Sequence, residues 1–254
     1  MITLAISNQK GGVGKSATVA ALAGLLPACG LRVLVVDMDP QGTLTMALGV
    51  DPAGRSLSDV IGGSEPGPLA MRSILREVKP GLTLAPSSPG LASCELGLVM
   101  RLGRESVLRA ALASVAGLFD LCLIDCPPAM GLLTINSLVA ADSVIIPTIP
   151  AVADLHGVTL FLASMEKVRA INPALGLLGV VVTQFEGRTT AHKEALEMIE
   201  RAGLRVLAIV PRSVRVQEAA GLRQLLPDYD PAGKPTIAYK ELTGVITKWL
   251  KDRN

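Results

Sequence analysis

Apolar and polar positions along the chain fall into two recurring patterns. Seven short runs are apolar almost throughout: ITLAIS (2 to 7), RVLVVD (32 to 37), LTLAP (82 to 86), LCLID (121 to 125), SVIIP (143 to 147), LLGVVVT (177 to 183) and RVLAIVP (205 to 211). A run without polar alternation suits a strand covered on both faces, so these predict parallel strands. Between them, helical spacing recurs over 15–29, 91–116, 131–140, 155–171, 190–202 and 234–251. Strand and helix alternate nearly to the end. That order predicts an α/β fold, a doubly wound, mostly parallel sheet with helices on both faces, formed by a single domain over 1–254. The stretch 51–89 is richer in Gly, Pro and Ser and is expected to form surface loops and short helices.

Composition refines this picture in three places. Hydrophobic residues make up 50% of the 254 positions but aromatics only 2%, so Leu, Val, Ile and Ala must build the core. A formal net charge of +2 is too mild to mark a nucleic-acid protein, and any DNA contact must come from a local basic patch. The start MITLAIS has no charged leader region, and no apolar span suits a membrane helix. Cys29, Cys94, Cys122 and Cys126 show no C-x-x-C spacing and are expected to be reduced, mostly buried thiols of a cytoplasmic protein.

The candidate chemistry starts at QKGGVGKS (9 to 16), which follows the first predicted strand and opens the first predicted helix. That context makes a phosphate-binding loop credible, although Gln9 stands where the usual G-x-x-x-x-G-K-[ST] pattern has its first glycine. Gly11, Gly12 and Gly14 let backbone N–H groups approach phosphate oxygens, and the helix N-terminus adds unpaired amides. Lys15 is expected on the β and γ phosphates and Ser16 on Mg²⁺, with Lys10, Val13 and Ala17 completing the nucleotide contacts. VVDMDPQG and LIDCPP end two strands with Asp37, Asp39 and Asp125. Ligands of open α/β sheets sit at the carboxyl ends of strands, so these acids should converge on the loop. Asp125 and Asp37 are the candidates for the metal side, and Asp39 for orienting the attacking water.

KGGVGKS, DMDPQG, DCPP and VPRSVRVQEA resemble, in content and order, the motifs of the ParA/MinD group of deviant Walker ATPases. The resemblance is greater to the small, Soj-like ParA chromosome-partitioning proteins. It spans about residues 2 to 250. It implies ATP and Mg²⁺ as cofactors, and a catalytic role for Lys10 as the signature lysine that reaches the phosphates of a second subunit in an ATP-bound homodimer. It further implies nonspecific binding of double-stranded DNA, slow hydrolysis stimulated by a ParB-like partner, and a nucleoid-associated location. Arg188 and Arg215 match the family's DNA-contact positions, and Arg212 lies beside them. Pro211 and Ser213 lie where the family packs and contacts the adenine. Two alternatives stay open at this stage: a MinD-like membrane-associated division regulator, and an iron–sulfur carrier of the same fold. The apolar spacing of Leu242, Val245, Ile246, Trp249 and Leu250 suits a membrane-surface helix, but it suits a terminal helix packed on the sheet equally, and the second is expected here.

Overall fold

The structure, a computed structural model, describes residues 1–51, 53–62 and 70–253. Position 52 and residues 63–69, which belong to the expected loop region 51–89, lie outside them. Among the described residues the strands are β1 (Ile2–Ile6), β2 (Val33–Asp37), β3 (Arg76–Lys79), β4 (Leu82–Ala85), β5 (Leu121–Asp125), β6 (Ser143–Thr148), β7 (Gly176–Phe185) and β8 (Val206–Pro211). The helices are α1 (Lys15–Leu25), α2 (Thr43–Ala47), α3 (Leu57–Ile61), α4 (Gly90–Leu98), α5 (Val107–Ala113), α6 (Leu132–Ala140), α7 (Val152–Val168), α8 (Thr190–Arg201), α9 (Val214–Gly221), α10 (Leu226–Tyr229) and α11 (Lys234–Lys251). The strands form one sheet in the order β3-β4-β2-β5-β1-β6-β7-β8, parallel throughout except for the β3–β4 pair.

The all-apolar runs have a direct cause in this sheet. Alternate residues of each central strand feed opposite faces. Ala5, Leu34, Val36, Ile124 and Val144 join the cluster on one face, which also holds Leu57, Leu108, Leu133 and Phe161. Leu4, Ile6, Val33, Val35, Leu123 and Ile145 join the cluster on the other, with Val19, Leu22, Leu242 and Ile246. No face of these strands meets water, so a polar residue there costs free energy unless it finds a partner.

All seven expected strands are present, while the helices differ from expectation in several places, among them the short α2 and α10, which lie outside the helical stretches expected. The helix expected over 91–116 is two helices, α4 and α5. Gly103 between them takes a left-handed φ of 66°, and Arg104 Nη1 donates to the Val99 carbonyl at 2.6 Å, capping the break. Helix α1 ends early, because Pro27 tightens the residues after Leu25 into a single 3-10 turn ending at Cys29. Helix α9 was not anticipated as a helix; Ser213 caps it by accepting from the Arg215 amide at 3.2 Å. The extra strand β3 escaped notice because its sequence, REVK, is polar and pairs only along the sheet edge.

Helix α11 packs on the sheet as expected, burying Leu242, Ile246 and Leu250, with Val245 and Trp249 half-buried against the same cluster. Among the described residues no helix is long and apolar enough to cross a membrane. The four cysteines are free thiols; Cys122 and Cys126 are buried and Cys29 is exposed.

Candidate functional site

Three central strands end level with one another. Ile6 pairs with Asp125, and Asp125 with Asp37, so the turn after β1 and two carboxylates meet at one point on the sheet's carboxyl edge. Gly12 and Gly14 in that turn adopt φ of 75° and 85°, which side-chain-bearing residues rarely take. A Cβ on Gly14 would also press on Thr183, 3.4 Å away.

The two lysines of the loop face opposite ways. Lys15 is 7% exposed and donates its ammonium to the Lys10 carbonyl at 2.9 Å. Burial lowers its pKa, opposed mainly by Asp125. Lys10 points outward: its side chain is 47% exposed, and its Nζ lies 2.7 Å from Oδ1 of Asp154, whose side chain is only 4% exposed. The separation is that of an ion pair, although Asp154 Oδ1 has no partner aligned as a hydrogen bond. The loop is tied to the same helix by Gln9 Nε2, which donates to Ser164 Oγ at 3.1 Å.

The three acids occupy distinct environments. Both oxygens of Asp37 are engaged: Oδ2 accepts from the amide and hydroxyl of Thr45 at 2.8 and 2.7 Å, and Oδ1 from the Asp39 amide at 3.2 Å. Burial nevertheless pushes its carboxyl up to about 6. Asp125 is fully buried with neither oxygen hydrogen-bonded. Burial, followed by the neighbouring Asp37, drives its carboxyl well above the usual range, while Ser16 and Lys15 pull it back. Asp39 is half-buried at the pocket rim; its Oδ1 accepts from Gln41 N at 3.0 Å and its carbonyl from Ser87 Oγ at 2.5 Å.

A buried carboxylate with two orphaned oxygens, next to a serine hydroxyl and a phosphate-binding turn, fits a hard divalent cation. Among the described residues no three His, Cys, Asp or Glu side chains form a metal cluster. Mg²⁺ takes one or two protein oxygens and completes its shell with phosphate and water. Ser16 and Asp125 are candidates to hold it, and Asp37 stands beside them with three hydrogen bonds accepted. Asp37, also expected on the metal side, anchors the α2 start here through Thr45.

The loop opens into a cavity of about 450 Å³ bordered by Lys15, Ser16, Ala17, Asp39, Pro211, Ser213 and Val214. Tyr239 from α11 also borders it, its hydroxyl 3.3 Å from Thr18 Oγ1. Arg188, Arg212 and Arg215 follow the ends of β7 and β8 at this same edge and are all exposed. Arg212 Nη1 pairs with Glu186 at 2.7 Å, and Arg215 Nη1 with Glu218 at 3.2 Å; Arg188 has no ion pair among the described residues.

A family model described as an AAA domain matches residues 1–177. The chain is 36% identical to the chromosome partitioning protein ParA of Caulobacter vibrioides, covering 98% of this chain and 95% of that protein. It is 38% identical to the chromosome-partitioning ATPase Soj of Thermus thermophilus, covering 94% and 92% respectively. The chain belongs to the ParA/Soj family of partitioning ATPases. Among solved structures, a protein named cobyrinic acid a,c-diamide synthase from Mycobacterium smegmatis, with bound ADP and magnesium, superposes with a TM-score of 0.87. It is 38% identical, and the match covers 100% of this chain and 97% of that one.

Four residues of this ParA/Soj-type site were not anticipated: Asp154, Thr183, Gln184 and Tyr239. Each arrives from an element remote in sequence from the loop, in α7, β7 or α11, and none sits in a local motif. Asp154 alone left a faint trace, as an acid in the first turn of a helix that follows a strand end.

Proposed function

We propose that the protein is a single-domain ATP-dependent DNA-partitioning switch, in which Mg-ATP joins two copies and the joined form binds duplex DNA without sequence preference. The observation that carries this reading is the opposite orientation of the two loop lysines. A single nucleotide needs one ammonium on its terminal phosphates, and Lys15 supplies it from inside the turn. Lys10 projects away from its own pocket, which suits the phosphate of a facing subunit. ATP and Mg²⁺ are the cofactors. Mg²⁺, when bound, screens the phosphate charge and draws electron density from the leaving group.

The chain's own residues divide the remaining work. Gly11, Gly12, Val13 and Gly14 donate amides to the phosphates, and Ser16 with Asp125 holds the metal. Asp39, at the rim with an unblocked Oδ2, orients the attacking water. Pro211 and Ser213 border the base. Arg188, Arg212 and Arg215 face DNA phosphates; contacts of that kind position a protein without reading bases and weaken steeply with salt. A ParB-like partner accelerates hydrolysis, which removes the shared γ-phosphate and releases the pair.

The test is sedimentation of an Asp39→Ala chain in Mg-ATP and in Mg-ADP, together with a gel shift on nonspecific duplex DNA. A dimer and a DNA shift in ATP but not ADP are expected. A monomer in saturating Mg-ATP overturns the reading, as does ATP turnover by the native chain that requires a carboxylic acid and an amine donor, the requirement of an amide-forming synthase.

A further inference from the structure

The end of β7 is built irregularly at the point where it meets the phosphate loop. Val182 pairs with Ile209 and Phe185 with Pro211, so β7 spends three steps where β8 spends two. The extra residue is absorbed at Thr183 and Gln184, and Gln184 takes a left-handed φ of 52°. Arg223 is the other non-glycine residue with positive φ among the described ones. A glutamine is held there only if its surroundings impose it, and bulges beside sites serve to redirect a side chain.

The redirected side chains grip the loop from behind. Gln184 Nε2 donates to the Gly12 carbonyl at 2.8 Å, and Thr183 Oγ1 donates to the Val13 carbonyl at 2.8 Å. Each carbonyl shares a peptide plane with the next residue's amide, so the direction of Gly12 C=O fixes that of Val13 N–H, and Val13 C=O fixes Gly14 N–H. Thr183 also touches the Thr148 carbonyl at 3.2 Å and is buried, which makes it a fixed pin. Gln184 is half-exposed and held mainly by this one bond.

The residues directly after Gln184 lead to the arginines. The Phe185 carbonyl accepts from the Arg212 amide at 3.1 Å, and Glu186 carries the ion pair to Arg212. The Glu186 amide donates to His192 Nδ1 at 3.0 Å, and the Glu186 carbonyl accepts from Thr189 N at 2.9 Å, closing the turn that displays Arg188. One strained residue therefore joins a phosphate-loop carbonyl to the turn bearing Arg188 and to Arg212.

We propose that Gln184 is a positioning residue that couples occupancy of the phosphate loop to the Phe185–Arg188 turn. When a nucleotide draws the Val13 amide toward its phosphates, the Gly12 carbonyl in the same peptide plane turns with it, and Gln184 transmits that rotation into the turn. Linkage makes the effect reciprocal, so whatever holds the turn also biases the loop. The nucleotide half of this inference rests on the phosphate site alone; only its DNA consequence rests on the function proposed above.

Amide hydrogen exchange on the full chain, nucleotide-free and in saturating Mg-ADP, tests it. In the native chain the Glu186, Thr189 and Arg212 amides are expected to change exchange rate by ~5-fold or more on nucleotide addition, the low end of usual coupling strengths. Gln184→Met keeps length and removes the donor; Gln184→Gly removes the donor and relieves the backbone strain, so it folds even if the methionine variant does not. Both are expected to lose the exchange response when compared at ADP concentrations that saturate each variant, which takes any change in affinity out of the comparison. A native chain whose turn ignores the nucleotide overturns the proposal, and so does a variant that keeps the full response; a residue that was merely structural would leave the response intact and lower only the melting temperature. Gel shifts with ATP against ADP then report separately: a native chain that never binds DNA defeats the DNA reading and leaves the exchange result standing.

Discussion

Replacing Asp154 with asparagine removes the charge that holds Lys10 against its own subunit. The pair is 2.7 Å apart, with Lys10 half in solvent and Asp154 buried. At an effective dielectric near 20 the bare attraction at such a separation is ~6 kcal/mol. Desolvation of the carboxylate and water around the lysine consume most of that, leaving ~1 kcal/mol per pair. In the proposed dimer two such pairs open as the lysines are exchanged, so relief of both is expected to lower the dissociation constant by ~30-fold, from ~2 kcal/mol. Sedimentation velocity in Mg-ATP, with Asp39→Ala in both chains to slow turnover, measures this directly. Lys10→Ala in the same background should weaken the dimer instead. If Asp154→Asn weakens association as Lys10→Ala does, the carboxylate supports the productive position of the lysine, and the restraint argument is wrong.

Lys15→Ala should abolish nucleotide binding by calorimetry, because the phosphates lose the one ammonium that points into the cavity; retained affinity would remove Lys15 from the site. Arg188→Glu should weaken DNA binding and flatten its salt dependence by about one to two ion equivalents without altering the ATP-induced dimer; an unchanged salt titration would clear this turn of the role. The Asp37 carboxyl, raised from its usual 3.8 to about 6, binds its proton more tightly in the folded chain than in the unfolded one. Stability of the metal-free protein is therefore highest below pH 4 as far as this group is concerned. It falls by about 3 kcal/mol as pH climbs to roughly 6 and then levels off. Urea melts in chelator across that range should show a fall to which the buried Asp125, also raised, adds in the same direction, and Asp37→Asn should reduce it; a native chain that gains stability over the same interval would contradict the burial argument. Thr45→Val, which strips one donor from Asp37 and keeps the shape, should cost about 1–3 kcal/mol at neutral pH, read by the same melts.

Much of this architecture was legible because burial on both faces leaves strands no freedom in composition. Val33 to Asp37 and Leu121 to Asp125 announce themselves, and the acid that closes each run marks where the sheet's carboxyl edge must lie. The phosphate loop was readable for a related reason: its turn needs glycine at Gly12 and Gly14, and its chemistry needs Lys15 and Ser16 next in line. What stayed hidden has no local pattern. REVK looks like an exposed turn because an edge strand meets solvent on one side. The helix break at Gly103 lies within a stretch whose apolar spacing continues past it, and helical periodicity alone cannot see a capped gap. Asp154 and Gln184 matter only because α7 and β7 bring them to a loop more than a hundred residues earlier, a contact made by tertiary packing.

The uneven exposure of the cysteines has a practical use. Cys122 lies within β5 and Cys126 directly after it, and burial pushes both thiols up, Cys126 to about 12, so neither offers a thiolate to a reagent at neutral pH. Cys29 is open to solvent at the far end of the helix that begins at Lys15, roughly 20 Å from the phosphates by helical rise. A maleimide dye added under mild conditions should therefore react first at that distal point, ahead of the half-buried Cys94, whose thiol burial pushes up. The native chain thus offers an attachment site for fluorescence or tethering experiments with no cysteine removed and no part of the nucleotide pocket disturbed.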